Sequence, residues 1–503
     1  MKFLARLFVL AASLAGLVVS EKYQYAPQQV PCPAKYIRGS AAGLHPGEIE
    51  WIQKMKDQRK SEWSRYIQNH NHIKLASVPP YGIAASGGGY RAMLNGAGAL
   101  KGLDEGRMSG ILRGATHLAG LSGGSWLVGT LATRKFPQIT GDLWDLRYGM
   151  LSPFGNAFWK NWKFWAAIQQ KVYNKFTSGN QVSMTDYWGL ALSKQFNLFG
   201  MKWSDIEPHG PFPIAVAVGR KRGTVVIPEN GTFEFSPVEV GSSEHNVFVE
   251  TKYLGSVFDK CVSGYDNTGF VIGTSSNIFN FIMFDLFKKM GITNSFITKL
   301  VLGSRNDFDV ANYPNSFRNF GNSALAKEDE LDLVDGGEDG QNIPLVPLLQ
   351  ESRNLDAIIA IDSSNDINGY PNGASVTKTA LFAATHNLKF ADVPGSTDLF
   401  IEQGLNKRPV IFGCYASSAE SGPIIIYIPN AEYNFMSGQS TTKFTYSNAE
   451  RDGMIRNGAV TVTHGGNEDW DKCMACALSK RAMERNGADL SQCDSCFETY
   501  CWS

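Results

Sequence analysis

Five short apolar runs, each bounded by small or polar residues, recur along the chain: YGIAAS at 81–86, ATHLAGLS at 115–122, FPIAVAVG at 212–219, LDAIIAIDSS at 355–364 and PIIIYIPN at 423–430. A half-exposed strand would alternate apolar and polar residues, so continuous runs of this length predict strands buried on both faces. Between several of them the spacing turns helical, as in RAMLNGAGALKGLDEG at 91–106 and GSWLVGTLATRK at 124–135. Strand and helix in alternation predict an α/β fold of three layers around a mixed, largely parallel sheet. There is no internal repeat, low-complexity tract or long Pro/Ser linker. That pattern opposes a string of modules and leaves one large body with insertions, or two unequal parts, for 503 residues.

Two stretches break the rhythm. Residues 153–176 interleave Trp159, Trp162 and Trp165 with Lys160, Lys163, Lys171 and Lys175, the pattern of an amphipathic interfacial helix or of a surface helix packing its aromatics inward. Residues 277–290, NIFNFIMFDLFKKM, are apolar enough to line a lipid slot or to be core. Both are lid candidates.

Composition narrows the function classes. Lys and Arg number 47 and Asp and Glu also 47, so no net field favours nucleic acid, which is excluded as a partner. Hydrophobic residues at 43% are ample for a core, and the 11 Trp and 30 Phe suit apolar ligand pockets as well. Residues 1–20 place Lys2 and Arg6 ahead of a short apolar run ending at Val18 and Ser20, the grammar of a cleaved signal peptide. The expected product is a secreted, soluble mature chain of residues 21–503 without a lipid-anchor tail. Asn230-Gly231-Thr232 is a glycosylation sequon and predicts a surface loop.

The eight cysteines fit that route. Cys473, Cys476, Cys493, Cys496 and Cys501 crowd the segment 473–503, whereas Cys32, Cys261 and Cys414 are dispersed. Two CxxC pairs satisfy a zinc spacing, but behind an export signal disulfides take precedence. An odd number in the tail implies that one tail cysteine bonds to the body or stays free.

The chemistry begins at GLSGGSW, 120–126, where Gly120, Ser122 and Gly124 form Gly-x-Ser-x-Gly between an apolar strand and a helix. A strand-to-helix elbow exposes the serine hydroxyl at a helix N-terminus, which favours a developing oxyanion. Ser122 is therefore the nucleophile candidate, and Ser125 a structural cap. Upstream, SGGGYRAM at 86–93 puts bare glycine amides at a helix start, an anion site. The Gly-Lys-Ser/Thr of a nucleotide P-loop is absent, and GAGALKG misses the dinucleotide fingerprint by one position. In LDLVDGGEDGQNIPLVPLL, 331–349, Asp335 meets two glycines, with a helix expected near Pro344. The ligand order of a calcium loop is not met there.

Taken together, SGGGYRAM, GLSGGSW, VDGGEDGQNIPL and the terminal CxxC…CxxCxxxxCW resemble the fungal lysophospholipase/phospholipase B family, over most of residues 30–503. Its catalytic body is similar to that of cytosolic phospholipase A2 and, more remotely, the patatins. The resemblance implies a three-layer αβα core with helical lid insertions and a disulfide-stapled tail. It also implies fatty-acyl ester hydrolysis without cofactor or metal, by Ser122 with Asp335 as its base. Gly88 and Gly89 would give oxyanion amides, and Arg91 would help hold the substrate phosphate. The partner implied is a phospholipid or lysophospholipid met at a transient membrane or micelle interface. No calcium-dependent lipid-binding domain precedes the core, so recruitment by calcium is not inherited. A carboxylate near pKa ~4 is a weak base for a hydroxyl, and burial in a greasy hollow would correct that. The rival readings are a Ser-Asp-His triad using His464 or His386, and a lipid carrier with an inert elbow.

Overall fold

The structure, a computed structural model, describes residues 24–68, 70, 73, 77–147, 149, 156–221, 223–226, 230–281, 309–321, 324–417 and 422–503, without the side chains of 156–164 and 166. The signal-peptide segment and most of the second lid candidate, residues 282–290, lie outside them, as do the side chains of Trp159 and Trp162.

The described strands are β1 Gln28–Val30, β2 Ile37–Arg38, β3 Tyr81–Ala85, β4 His117–Leu121, β5 Phe212–Gly219, β6 Thr232–Phe235, β7 Glu239–Ser242, β8 Val247–Glu250, β9 Cys261–Ser263, β10 Ala311–Pro314, β11 Glu330–Asp335, β12 Ala357–Asp362, β13 Val410–Phe412 and β14 Ile424–Pro429. Twelve of them make one sheet, ordered β13-β14-β12-β3-β4-β5-β6-β7-β8-β2, with β11 and then β10 joined to β5; β1 and β9 form a separate ribbon. The five apolar runs are its centre, β14-β12-β3-β4-β5, and there every pairing is parallel. Antiparallel strands extend the sheet on both sides. These wings carry mixed polarity, as in TFEF and EVGS, and so gave no comparable signal in the sequence.

The main helices are α1 Gly89–Asp104, α2 Gly123–Thr133, α3 Asn156–Thr177, α4 Met184–Gln195, α5 Thr268–Thr274, α6 Asn448–Val462, α7 Glu468–Arg485 and α8 Asp494–Tyr500. α1 follows β3 and α2 follows β4, the crossover order of a three-layer α/β body. The glycines of GAGALKG serve packing: a Cβ at Gly98 would overlap the Ile455 carbonyl and lie 2.8 Å from the Gly458 Cα. α1 and α6 thus cross with their backbones in contact. No helix forms at Pro344; residues Val346–Leu349 make only a 3-10 turn.

In the first lid candidate, Trp165, Ile168 and Val172 of α3 are buried at helical spacing. Lys175 does not join a solvated face. Its Nζ is buried, 2.6 Å from Asp186 Oδ1 and 4.3 Å from the centre of the Phe270 ring. The charge is held because it is paired and faced by rings. This end of α3 is anchored in the body, the inward-packing alternative. Asn230 is half-buried in the loop before β6, with its Nδ2 covered.

All eight cysteines are paired: Cys32–Cys261, Cys414–Cys501, Cys473–Cys496 and Cys476–Cys493. The two CxxC motifs face each other across the α7–α8 hairpin and are consumed in disulfides, which displaces the zinc alternative. The odd tail cysteine, Cys501, reaches Cys414, and the Trp502 amide donates to the Ile411 carbonyl at 2.9 Å, laying the chain end along β13. The Cys414–Cys501 bridge closes a loop with a sequence separation of 87. Replacing both residues by Ser is expected to lower stability by about 2–5 kcal/mol, read as a lower urea midpoint than the wild type under non-reducing conditions.

Candidate active site

β4 ends at Leu121, paired with Val216 of β5, and the chain then turns out of the sheet. One position further along β5, on the side that β4 has vacated, β11 arrives with Asp335 opposite Ala217. β5 thereby sets the last residue of β4 and the last residue of β11 one step apart along its own length. That register brings Ser122 and Asp335 together from opposite ends of a long stretch of chain.

Ser122 is the elbow. Its φ of 49° and ψ of −122° lie outside the regions comfortable for an L-residue, and α2 begins immediately after it. Three contacts hold it there. The Ser122 amide donates to the Ser275 carbonyl at 2.9 Å and to the Ser275 Oγ at 3.0 Å. Ser275 Oγ donates in turn to the Val216 carbonyl at 2.6 Å. A Cβ on Gly123 would overlap the Gly89 carbonyl, so only glycine lets the elbow press against the glycine loop. Ser125 donates back to the Ser122 carbonyl at 2.7 Å from within the first turn; the N-cap position is Ser122 itself, so Ser125 is not the cap expected of it.

Asp335 is buried. Its amide donates to Asn277 Oδ1 at 2.8 Å, and its Oδ1 accepts from the Gly337 amide at 2.9 Å. Oδ2 carries no donor at full hydrogen-bond geometry, yet the Ser122 hydroxyl is near enough to favour the ionised form. Such pairs are often loose before substrate binds and tighten with it. Burial raises the carboxyl to about 7; the Gly337 amide and Ser122 hydroxyl oppose the rise, and the Asp339 carboxylate adds to it. An aspartate titrating there is matched to general-base work near neutrality.

The glycine loop lies against both. A Cβ on Gly87 would sit 3.0 Å from the Ser122 Cβ. Gly88, at φ 134° and ψ 31°, caps α1, and Gly89 opens it. Among the described residues no protein acceptor takes up the Gly88 or Gly89 amide, which leaves two donors at a helix start beside the serine. An elbow serine, a buried carboxylate and unspent amides in one place suit acyl transfer.

The family model described as lysophospholipase catalytic domain matches residues 81–503, the segment that carries all three features. The chain belongs to the lysophospholipase catalytic-domain family.

Lysophospholipase 2 of Aspergillus fumigatus is 37% identical over 95% of this chain and 93% of its own length. Lysophospholipase 1 of Saccharomyces cerevisiae is 38% identical over 99% of this chain and 87% of its own. Among solved structures, human GIVD cytosolic phospholipase A2 superposes with a TM-score of 0.69 at 18% identity, covering 92% of this chain and 72% of that one. The three-layer fold expected of a lysophospholipase is thus present.

Arg91 of this lysophospholipase-family chain is fully buried, and burial lowers it to about 10, still protonated at neutral pH. Its Nε donates to the Ser363 carbonyl at 3.0 Å; Nη1 donates to the Gln439 carbonyl and Thr441 Oγ1, each at 2.8 Å. Among the described residues only Nη2, packed against Gly88, has no partner. Arg91 therefore braces the glycine loop and the 439–441 segment and keeps one N–H edge in reserve. Beside Gly89 the rings of Tyr90, Trp126, Trp188, Phe279 and Phe444 form a continuous aromatic wall.

Neither histidine of the rival triad joins the site. His464 Nδ1 pairs with the Tyr433 hydroxyl at 2.8 Å, and His386 stacks on Phe382 while Nδ1 meets the Phe382 carbonyl at 2.9 Å. The sequence did not single out Ser275, Asn277 or Asn342. Each acts through a hydrogen bond to a remote backbone group, which leaves no motif of its own.

Proposed function

We propose that this chain is a secreted serine acyl hydrolase that cleaves the fatty-acyl ester of lysophospholipids, and of diacyl phospholipids in turn, as a lysophospholipase/phospholipase B. Residues 21–503 act as one catalytic domain after removal of 1–20. The observation that carries the reading is the β5 register that seats Asp335, raised by burial, beside the strained Ser122.

In the first half-reaction Ser122 Oγ attacks the ester carbonyl carbon while its proton passes to Asp335. The carbonyl oxygen gathers charge against the Gly88 and Gly89 amides. Collapse of the tetrahedral species breaks the ester bond, and the glycerophospho alkoxide leaves with the proton from Asp335. The Arg91 Nη2 edge faces the phosphate of that group. Water, deprotonated by Asp335, then attacks the acyl-Ser122 ester; the Oγ–carbon bond breaks, Asp335 returns the proton to Ser122 Oγ, and the fatty acid is freed. The aromatic wall beside Gly89 receives the acyl chain and keeps Asp335 dry, so the surface that binds the chain also sustains the base. Substrate is drawn from a membrane or micelle interface.

Product analysis on matched one-chain and two-chain phosphatidylcholines tests the proposal. The expected result is free fatty acid and glycerophosphocholine from the one-chain lipid, and no hydrolysis of the phosphodiester. Release of phosphocholine, or no fatty acid from either lipid, contradicts it.

A further inference from the structure

The oxyanion amides are useful only if the peptide planes that carry them are fixed, and glycines fix nothing by themselves. The plane between Gly87 and Gly88 is flanked by glycine on both sides. Gly88 sits at φ 134°, so turning this plane over would return its φ to the ordinary negative region. Glycine by itself has no strong preference between the two orientations. Some contact must hold the observed plane.

The Ser86 hydroxyl gives the Gly87 carbonyl a long bond of 3.3 Å; the shorter contacts come from Asn342, on the same loop as Asp335 and downstream of it. The Gly87 amide donates to the Asn342 carbonyl at 3.0 Å, and Asn342 Nδ2 donates to the Gly87 carbonyl at 3.1 Å. Its other Nδ2 proton goes to Ser364 Oγ at 2.7 Å, and Ser364 Oγ donates to the buried Asp362 Oδ1 at 2.6 Å. Both protons of the amide are thus committed, and the Asn342 side chain has no freedom to release Gly87. In a planar trans peptide the carbonyl and the next N–H point in opposite directions. Fastening the Gly87 carbonyl to Asn342 therefore aims the Gly88 N–H away from Asn342, on the side where no described protein group accepts it.

We infer that Asn342 is a positioning residue for the oxyanion hole: it latches the Gly87–Gly88 peptide plane and keeps the Gly88 N–H available to the developing charge. It also couples the loop of the base to the loop of the oxyanion donors, so the two halves of the site hold one geometry. The inference rests on the acyl-transfer reading above.

The test is steady-state kinetics of the full chain bearing Asn342→Ala or Asn342→Asp on a one-chain phosphatidylcholine, with melting temperature and a pH profile. An oxyanion donor acts in the transition state and not in ground-state binding. Both variants are expected to lose kcat on the order of 10- to 100-fold at unchanged KM. Asn342→Asp should lose more, because its carboxylate would face the Gly87 carbonyl. In Asn342→Ala the acid limb of the profile, which reports Asp335, should not move, whereas the added carboxylate of Asn342→Asp should shift it upward; the rate of reaction with a serine-directed fluorophosphonate should fall in both. A kcat within twofold of wild type in either variant overturns the inference, as does a loss confined to KM or, in Asn342→Ala, to a displaced acid limb. If both variants fail to fold, Ser364→Ala carries the test, since it frees the second Nδ2 proton and lets Asn342 turn. A threefold to tenfold kcat loss at constant KM supports the latch, and an unchanged kcat overturns it. Ser122→Ala run alongside separates the two levels. If it retains turnover, the acyl-transfer reading itself fails; if it is inactive while the Asn342 variants are not, only the latch fails.

Discussion

Ser122→Ala is expected to lower turnover of a one-chain phospholipid on the order of 10⁴- to 10⁶-fold and to abolish reaction with a fluorophosphonate. Among the described residues no other hydroxyl combines an elbow position, a free Oγ and a neighbouring buried base. Ser125, the nearest alternative in the motif, spends its proton on the Ser122 carbonyl. The backbone offers a second readout. At φ 49° and ψ −122° Ser122 stores strain, about 1–3 kcal/mol for such a conformation. Ser122→Gly should be as inactive as Ser122→Ala yet unfold at higher denaturant than wild type, because glycine relieves the strain. A serine kept there for packing alone would show no such opposition between activity and stability.

Asp335→Asn is expected to lower kcat on the order of 10⁴-fold while stabilising the protein at neutral and alkaline pH. The amide is nearly isosteric, can still accept from the Gly337 amide, and has no basicity. The stability effect has a definite sign. The folded-state pKa is raised from 3.8 to about 7 by burial, so between those values the folded chain holds a proton that the unfolded chain has released. Wild-type stability therefore falls as pH rises through this window and levels off above it, an effect of up to roughly 4 kcal/mol by linkage. The substituted carboxamide cannot ionise, so the gap between variant and wild type should open as pH rises from the unfolded to the folded value. In the wild type, kcat/KM should fall with acidification below about 7, as the base is protonated. An equal stability difference between the two proteins at mildly acidic and mildly alkaline pH contradicts the assignment of a buried carboxylate at the base.

The central sheet was legible because its five strands are buried on both faces and carry uninterrupted apolar runs. The antiparallel wings were not, since their residues alternate or mix polarity, and the pairing of β11 depends on β5 being longer than β4. That same length difference makes the active site. Sequence could place Ser122 by its glycines and Asp335 by resemblance, but not the one-step register that joins them. The glycines of 96–102 were visible and their role was not: Gly98 and Gly102 face α6, whose pattern gave no sign of a partner, and Gly96 faces Leu127 of α2. Lys175 misled for a related reason. Its charge suggested solvent, whereas Asp186 and the Phe270 ring receive it inside. Asn342, in plain view within QNIP, shows its function only when the Gly87 carbonyl is brought 3.1 Å from its amide.

The most direct test of the dyad is the second-order rate of fluorophosphonate adduct formation, with the modified residue located by peptide mass spectrometry, in wild type and Asp335→Asn at mildly alkaline pH. The account predicts a single adduct on Ser122 in the wild type and a rate lower by several orders of magnitude in the variant. An adduct on any other residue, or the same rate in both proteins, contradicts it.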